Sequence, residues 1–552
     1  MKRFSYTILS LTALHAHAQL PELVKDINPT GNASPDYFHA FNGKTFFVAD
    51  DGSSGKELWI TDGTSTGTQL LKDINPGSGS ASIAYKYTLG NVMLFSANDG
   101  THGDELWVSD GTSAGTQLLK DINPGPGTSQ PYFLVSQSNL ATINGKAFFF
   151  ANDGTNGTEL WITDGTSAGT SLFKDFNTTA TSSSPNYFGA AILNNKIIFT
   201  VKTDAAGIEL YITDGTSTGT QLLKDINPGT ANSSPNNFVL FDNKVYFAAI
   251  TATEGAELWV TDGTPSGTSL LKDILPGTGN GNPLYFAPLG NKLFFMAITA
   301  TTGRELWSTD GTTFGTEIVK DINAGTSQGA FSELTVYNNN LYFIGQDATS
   351  GKALYKSDGT ASGTLPVHTY GSDAASASAG MYAPLVYQNK LYYQYNTVSS
   401  GWQLWRCDGT DTGTRIVAPT IAPNASPLSA SGAHKVCNGI LYYTGNYTSI
   451  GNELYKIDLT PPSGINGTRA EHMLINIYPN PANDHINVDI PAKWQHQQVQ
   501  LSVIDMDGRL IQAGQTEGEM NTRLNIEKLP RGVYWIKATT SDATGTQRFI
   551  KY

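Results

Sequence analysis

Residues Glu57–Gly77 read ELWITDGTSTGTQLLKDINPG, and a close copy, ELWVSDGTSAGTQLLKDINPG, occupies Glu105–Gly125. The Asp-Gly-Thr triplet inside this stretch recurs at Asp62, Asp110, Asp164, Asp214, Asp262, Asp310, Asp358 and Asp408, at intervals of 48, 54, 50, 48, 48, 48 and 50 residues. A period near 48 fits one four-stranded propeller blade, for which about 40–50 residues is usual. No segment carries the 3.6-residue apolar period that helical repeats require. The expected fold is therefore all-β, a β-propeller.

Within one unit the spacing predicts a first strand near Tyr37–Phe41, an Asn42-Gly43 turn, and a second strand over Lys44–Ala49. A third strand follows at Glu57–Thr61, then the Asp62-Gly63-Thr64 turn and a fourth strand at Gln69–Ile74. Asn-Gly is a strong hairpin signal because both residues tolerate positive φ. In the second turn the aspartate can accept backbone N–H bonds and the glycine can turn left-handed. The eight aspartates of the triplets are thus read as structural turn residues.

Two fragments lie outside the eight copies. Glu22–Pro29 (ELVKDINP) looks like a fourth strand with nothing before it, and Gly451–Thr460 (GNELYKIDLT) like a third strand with nothing after it. Together they complete a ninth unit, in which the first and last strands share one blade and no sheet edge is left bare. Burial of Leu23, Val24 and Ile27 beside Leu454 and Tyr455 is expected to follow. The third strand carries Glu57, Glu105, Glu159, Glu209, Glu257 and Glu305 where the fourth carries Lys-Asp; units seven and eight lose both together, and the two fragments keep Glu453 and Lys25-Asp26. This joint loss predicts a Glu–Lys contact across the hairpin. Nine blades is the count preferred, with eight and a frayed terminal fragment as the alternative.

From Glu22 to about Asp458 the chain resembles the bacterial ELWxxDGT repeat proteins, the named motif recurring six times nearly intact. Units seven to nine depart from it with ALYKSDGT, QLWRCDGT and ELYKIDLT. The resemblance implies an exported surface or extracellular protein and carries no established chemistry.

The two ends address the chain. Residues 1–18 open with Lys2-Arg3, an apolar stretch and Ala16-His17-Ala18, the pattern of a secretory signal peptide cut between Ala18 and Gln19. After the propeller over residues 19–458, a Pro/Gly-rich linker spans 459–470. Residues 471–552 then alternate short strands and turns, as in a small Ig-like β-sandwich. Their phrases resemble the type A carboxyl-terminal sorting domain of the type IX secretion system of Bacteroidetes-type bacteria. The matching positions are Tyr478-Pro479-Asn480-Pro481, Asp507-Gly508-Arg509, Leu529-Pro530, Gly532-Val533-Tyr534 and Lys551. The resemblance implies export across the outer membrane through the type IX machinery, followed by removal of the tail.

Composition narrows the function. No apolar run reaches the roughly 18 residues of a membrane-spanning helix. A net charge of -13 argues against a nucleic-acid partner. GTSAG at Gly111–Gly115 and Gly165–Gly169 fits the nucleophile-elbow pattern in letters only, because other copies read GTPSG, GTTFG and GTDTG between two strands. The aromatics Trp59, Trp107, Trp161, Tyr211, Trp259, Trp307, Tyr355, Trp405 and Tyr455 recur at one strand position, which points to packing between blades. Trp402 lies outside that register and is the better candidate for a ligand contact. ANDGTHGDE and ANDGTNGTE offer oxygens to calcium but lack the alternating acidic spacing of a calcium loop, so turn formation is preferred and no cofactor is expected. Cys407 and Cys437 are either a disulfide between neighbouring blades or two buried thiols. The resulting expectation is a non-catalytic, monomeric, secreted propeller binding a glycan or protein; a polysaccharide lyase or hydrolase built on its loops is the rival.

Overall fold

The computed structural model describes residues 22–459 and 471–551, except 137–138, 178–179, 184–188, 371–380, 398–400, 419–433, 446–450, 473–474, 481, 491–493, 495–496, 505–509, 517–520 and 541–542. The chain divides into two compact units, Met1–Leu459 and Thr460–Tyr552. The described residues form strands and turns, with no α-helix among them.

The first sheet shows how the repeat folds. Its strands β2 (Asp36–Phe41), β3 (Lys44–Asp50), β4 (Lys56–Thr61) and β5 (Gln69–Lys72) pair antiparallel in that order. β3 and β4 are buried almost throughout, which is why they read as continuous apolar runs. Asn42 and Gly43 take φ of 48° and 72°, the left-handed pair a tight hairpin needs. Asp62 Oδ1 accepts both Thr64 N and Thr64 Oγ1, at 2.9 and 2.7 Å, while Gly63 sits at φ 92°. The same pair of bonds recurs from Asp110 through Asp408.

Seven further sheets repeat this order through Arg415–Ala418. In the third sheet the first strand is broken: Tyr132–Phe133 and Thr142–Ile143 both pair with Lys146–Asn152, and a small hairpin, Val135–Ser136 with Asn139–Leu140, is inserted between them. This insertion accounts for the one long interval, 54 residues between Asp110 and Asp164.

A ninth sheet joins the two ends of the first unit. β1 (Glu22–Lys25) pairs antiparallel with Glu453–Asp458, which continues to Ile440–Gly445 and His434–Cys437. One apolar cluster takes Val24 and Ile27 from the N-terminal segment, Leu454 and Tyr442 from the ninth sheet, and Phe47 and Trp59 from the first. Leu23 departs from expectation and is 37% exposed, because neighbouring side chains on a strand point to opposite faces and Val24 takes the inward one.

The expected Glu–Lys pair does not form. Lys72 lies opposite Leu58, so Glu57, one residue away, faces the other side of the sheet. Glu57 is fully buried and accepts Ile74 N at 2.7 Å and Asn75 N at 3.3 Å, in the segment leaving β5. The lysines instead reach the next sheet: Lys25 Nζ donates to Thr68 O at 2.7 Å, and Lys320 Nζ to Thr364 O at 2.7 Å. Glutamate and lysine are therefore parts of one linkage, the first holding the outgoing segment and the second the neighbour it leads to.

The second unit consists of a five-stranded and a three-stranded sheet. Ile486, Val488, Val503, Ile536 and Phe549 from the two sheets meet in a single apolar cluster.

Candidate functional site

The repeated residues work as scaffold. Trp59, Trp107, Trp161, Tyr211, Trp259, Trp307, Tyr355, Trp405 and Tyr455 are all buried, and each joins an apolar cluster containing residues of the preceding sheet. The GTSAG segments are turns: Thr112 Oγ1 accepts Gly115 N at 2.9 Å, and Thr166 Oγ1 accepts Gly169 N at 3.0 Å. Asp99 Oδ1 accepts Thr101 N and His102 N at 2.8 Å each, and Asp153 Oδ1 accepts Thr155 N and Asn156 N at 2.9 and 2.7 Å. Those oxygens are committed to their own turns, and no group of three metal-ligating side chains occurs among the described residues.

Cys407 and Cys437 are free thiols. Cys407 is buried in the cluster of the seventh and eighth sheets, and Cys437 packs on the cluster joining the ninth and first, so the structure does not bring them together as a disulfide. Trp402 lies on the strand Gly401–Cys407 opposite Asn396, with its side chain outside the described residues. Ala18 and Gln19 are also outside them.

The site that sequence reading missed is a cavity of about 1580 Å³ walled by first strands from several sheets, with Tyr37, His39, Tyr85, Lys86, Leu385 and Lys435 among its lining. Its geometry begins with a bulge. The pairing register slips between Asp36 and His39, between Ala84 and Tyr87, between Asn236 and Val239 and between Leu284 and Ala287. At these slips Tyr37, Tyr85, Asn237 and Tyr285 adopt φ of 53°, 54°, 58° and 60°. A bulge re-aims the side chain it carries. Tyr37 is consequently 40% exposed and Tyr85 43% exposed. Tyr85 stands edge-on to Tyr132 of the third sheet, with centroids 5.0 Å apart.

The residue after each bulge turns inward. Phe38, Phe238 and Phe286 occupy this slot and pack on Phe47, Phe247 and Phe295 of their own second strands. In the second sheet the slot holds Lys86. Its Nζ is buried without a hydrogen-bond partner and lies 5.1 Å from the centre of the Tyr37 ring. Burial lowers the Lys86 ammonium to about 7, with Asp36 pulling weakly the other way. His39 donates to or accepts from Thr88 Oγ1 at 2.9 Å; burial, then Lys435 and Lys86, hold it neutral by lowering it to about 4. Burial pushes the Tyr85 phenol up to about 12. Superposing the repeats in the sequence would have exposed Lys86, because Phe38, Phe238 and Phe286 hold its place in three other units.

In the second unit, Asn480 Oδ1 accepts Ile550 N at 3.0 Å and Ala482 N donates to Ile550 O at 2.8 Å, fixing the Tyr478–Asn480 segment to the last strand. Tyr534 Oη donates to Pro530 O at 2.9 Å and its ring stacks on Phe549 at 5.6 Å. Leu529 and Lys551 are buried, and Gly532 pairs with Lys551. Pro479 and Pro530 are exposed, and Val533 lies on the strand Gly532–Thr539. Pro481, Asp507, Gly508 and Arg509 lie outside the described residues.

Residues 476–552 match the family described as the secretion system C-terminal sorting domain. This is the type IX sorting domain, and the chain is exported to the cell surface or the extracellular space. No curated protein matches the chain. Among solved structures it is similar to one of two prolyl endopeptidases, at 11% identity and a TM-score of 0.36 over 69% of this chain and 55% of the other. It is similar to puromycin hydrolase at 10% identity and a TM-score of 0.31, over 68% of this chain and 60% of the other. Prolyl oligopeptidase B from Galerina marginata shares 10% identity and a TM-score of 0.37, over 75% of this chain and 54% of the other. The chain thus spans little more than half the length of these structures, and no chemistry transfers at such scores.

Proposed function

We propose that the first unit is a closed, nine-bladed, non-catalytic β-propeller that binds a glycan, carried outside the cell by the type IX machinery through its sorting domain. Closure is supported by the pairing of Glu22 with Lys456 and Leu23 with Tyr455, and by Lys456 Nζ donating to Gly63 O of the first sheet at 2.8 Å. The sequence further supports a member of the ELWxxDGT repeat proteins, with a signal peptide ending at Ala18.

The observation that carries the binding reading is the cavity bearing Tyr37 and Tyr85, two half-exposed rings on neighbouring first strands held out by left-handed bulges. Tyrosine offers a flat apolar face and a polar tip, the combination that recognition surfaces favour. Two of the repeats' acidic groups are engaged, the Asp62-type carboxylates by turns and the Glu57-type carboxylates by backbone amides, whereas the Asp73-type carboxylates keep a buried oxygen without a hydrogen-bond partner. An unbiased glycan array and a polysaccharide-degradation assay on the full chain test this together. Binding without product formation is the expected result. Product formation lost on replacing an acidic residue would replace this reading with the enzymatic one.

A further inference from the structure

We propose that the cavity takes a carboxylate-bearing oligosaccharide, with Tyr37 and Tyr85 as stacking faces and Lys86 as the counter-cation; this rests on the glycan-binding reading above and gives it a ligand class.

Lys86 breaks the packing rule of its repeat. Where the first, fifth and sixth sheets set Phe38, Phe238 and Phe286 against their second strands, the second sheet carries a lysine whose Nζ is buried with no hydrogen-bond partner. An unpaired buried charge is costly and packing alone gives no reason for it, so departures of this kind concentrate at functional positions. Its companions are consistent: Lys435 also lines the cavity, and neither lysine joins an ion pair among the described residues. Asp36 interacts electrostatically with Lys86, but its Oδ1 accepts Tyr37 N at 2.7 Å.

Two acidic groups share the lining with these cations. Asp164 stays ionised, its carboxylate held at its own turn by Thr166 N and Thr166 Oγ1, whereas burial raises Glu333 toward its neutral form. Two lysines in one cavity of a chain of net charge -13 give the wall that holds them a local preference for anions. The cation lies 5.1 Å from the centre of the Tyr37 ring, so an anionic group drawn by its field settles beside Tyr37 and Tyr85 in the same lining. Flat faces beside a cation, with Thr88 and Asn91 in the same lining to meet hydroxyls, describe a uronic-acid sugar. The volume, about 1580 Å³, exceeds the 300–1,000 Å³ of common small-molecule pockets and suits several linked rings.

The test measures binding of short oligogalacturonates and oligoguluronates to the full chain, with maltooligosaccharides of matching length as neutral controls. The variants are Lys86→Met, Tyr37→Ala and Tyr85→Ala. The acidic probes should bind in preference to the neutral ones, and Lys86→Met should weaken them by about tenfold or more, as for loss of a charged contact, while barely changing the neutral controls. Lys86→Met should also raise the thermal midpoint, since a buried cation gives way to an apolar side chain in a slot built for one; this confirms that the variant folds. Tyr37→Ala and Tyr85→Ala should weaken acidic and neutral probes alike. Acidic probes bound equally well by all three variants would overturn the site while leaving glycan binding intact. Equal affinity for acidic and neutral probes, or no binding of either acid, would overturn the ligand class; hits elsewhere on the glycan array would then still uphold the wider function.

Discussion

Glu453 is the clasp between Glu22–Lys25 and the last sheet of the first unit, and replacing it should open that end alone. Its Oε2 accepts Ile27 N at 2.7 Å and its Oε1 accepts Ala33 N at 3.1 Å, across 426 and 420 residues of sequence. Glu453→Ala leaves two buried N–H groups unpaired, at roughly 1–3 kcal/mol each, for a loss of about 2–6 kcal/mol. Val24 and Ile27, each 5% exposed, would be released with the segment. Their burial is worth roughly 1.5–3 kcal/mol apiece, so the variant brings β1 close to its detachment threshold. Glu57→Ala is the control: it orphans the amides of Ile74 and Asn75 by the same chemistry, but across only 17 and 18 residues. Hydrogen exchange at residues 22–33, with urea unfolding at pH 8, separates the two. Glu453→Ala should deprotect 22–33 well before global unfolding, whereas Glu57→Ala should lower the midpoint without doing so. Full protection of 22–33 in Glu453→Ala, with an unchanged midpoint, would refute the clasp.

Three other outcomes are expected. Glu57, Glu105, Glu159, Glu209, Glu257, Glu305 and Glu453 are each raised to about 7, burial outweighing the amides that favour the charged form. The folded state therefore keeps protons that the unfolded chain has lost between about pH 4.5 and 7, so stability should fall as pH rises through that window and level off above it; a thermal midpoint higher at pH 8 than at pH 5 would contradict this. Gly255→Ala should cost more than the roughly 1–2 kcal/mol of a left-handed L-residue, since φ is 71° and the new Cβ would meet Gly279 O at 1.7 Å; denaturant titration reads it. Deleting residues 476–552 should leave the first unit folded but retained in the periplasm, as cell fractionation would show.

Much of the fold was legible because the repeat amplifies weak local signals. A single Asp-Gly-Thr says only that a turn is present, whereas eight at near-constant spacing set strand order, and Glu22–Pro29 then had one vacant place to fill. The Glu–Lys pair shows where that logic fails. Co-occurrence in sequence reported a common purpose, the linkage between sheets, and was mistaken for contact; only the register, with Leu58 opposite Lys72, reveals that the two side chains face apart. Leu23 failed for a related reason, since a strand of four residues has too few positions to declare which face is inward.

The candidate site was hidden by the same regularity that exposed the fold. Repeated residues drew attention because they recur, and recurrence in a repeated sheet marks what every copy must do to pack on its neighbours. A site that serves one ligand is needed once, so its mark is a break in the pattern. Lys86 in a phenylalanine slot is such a break, and it acquires meaning only when the bulge beside it is seen to turn Tyr85 outward at φ 54° while the next residue turns in. Restoring the pattern with Lys86→Phe should accordingly strengthen the scaffold and silence the site. A calorimetric midpoint above that of the parent chain, together with loss of binding to acidic oligosaccharides, is the expected pair of results. A lower midpoint with binding retained would mean that Lys86 serves packing after all.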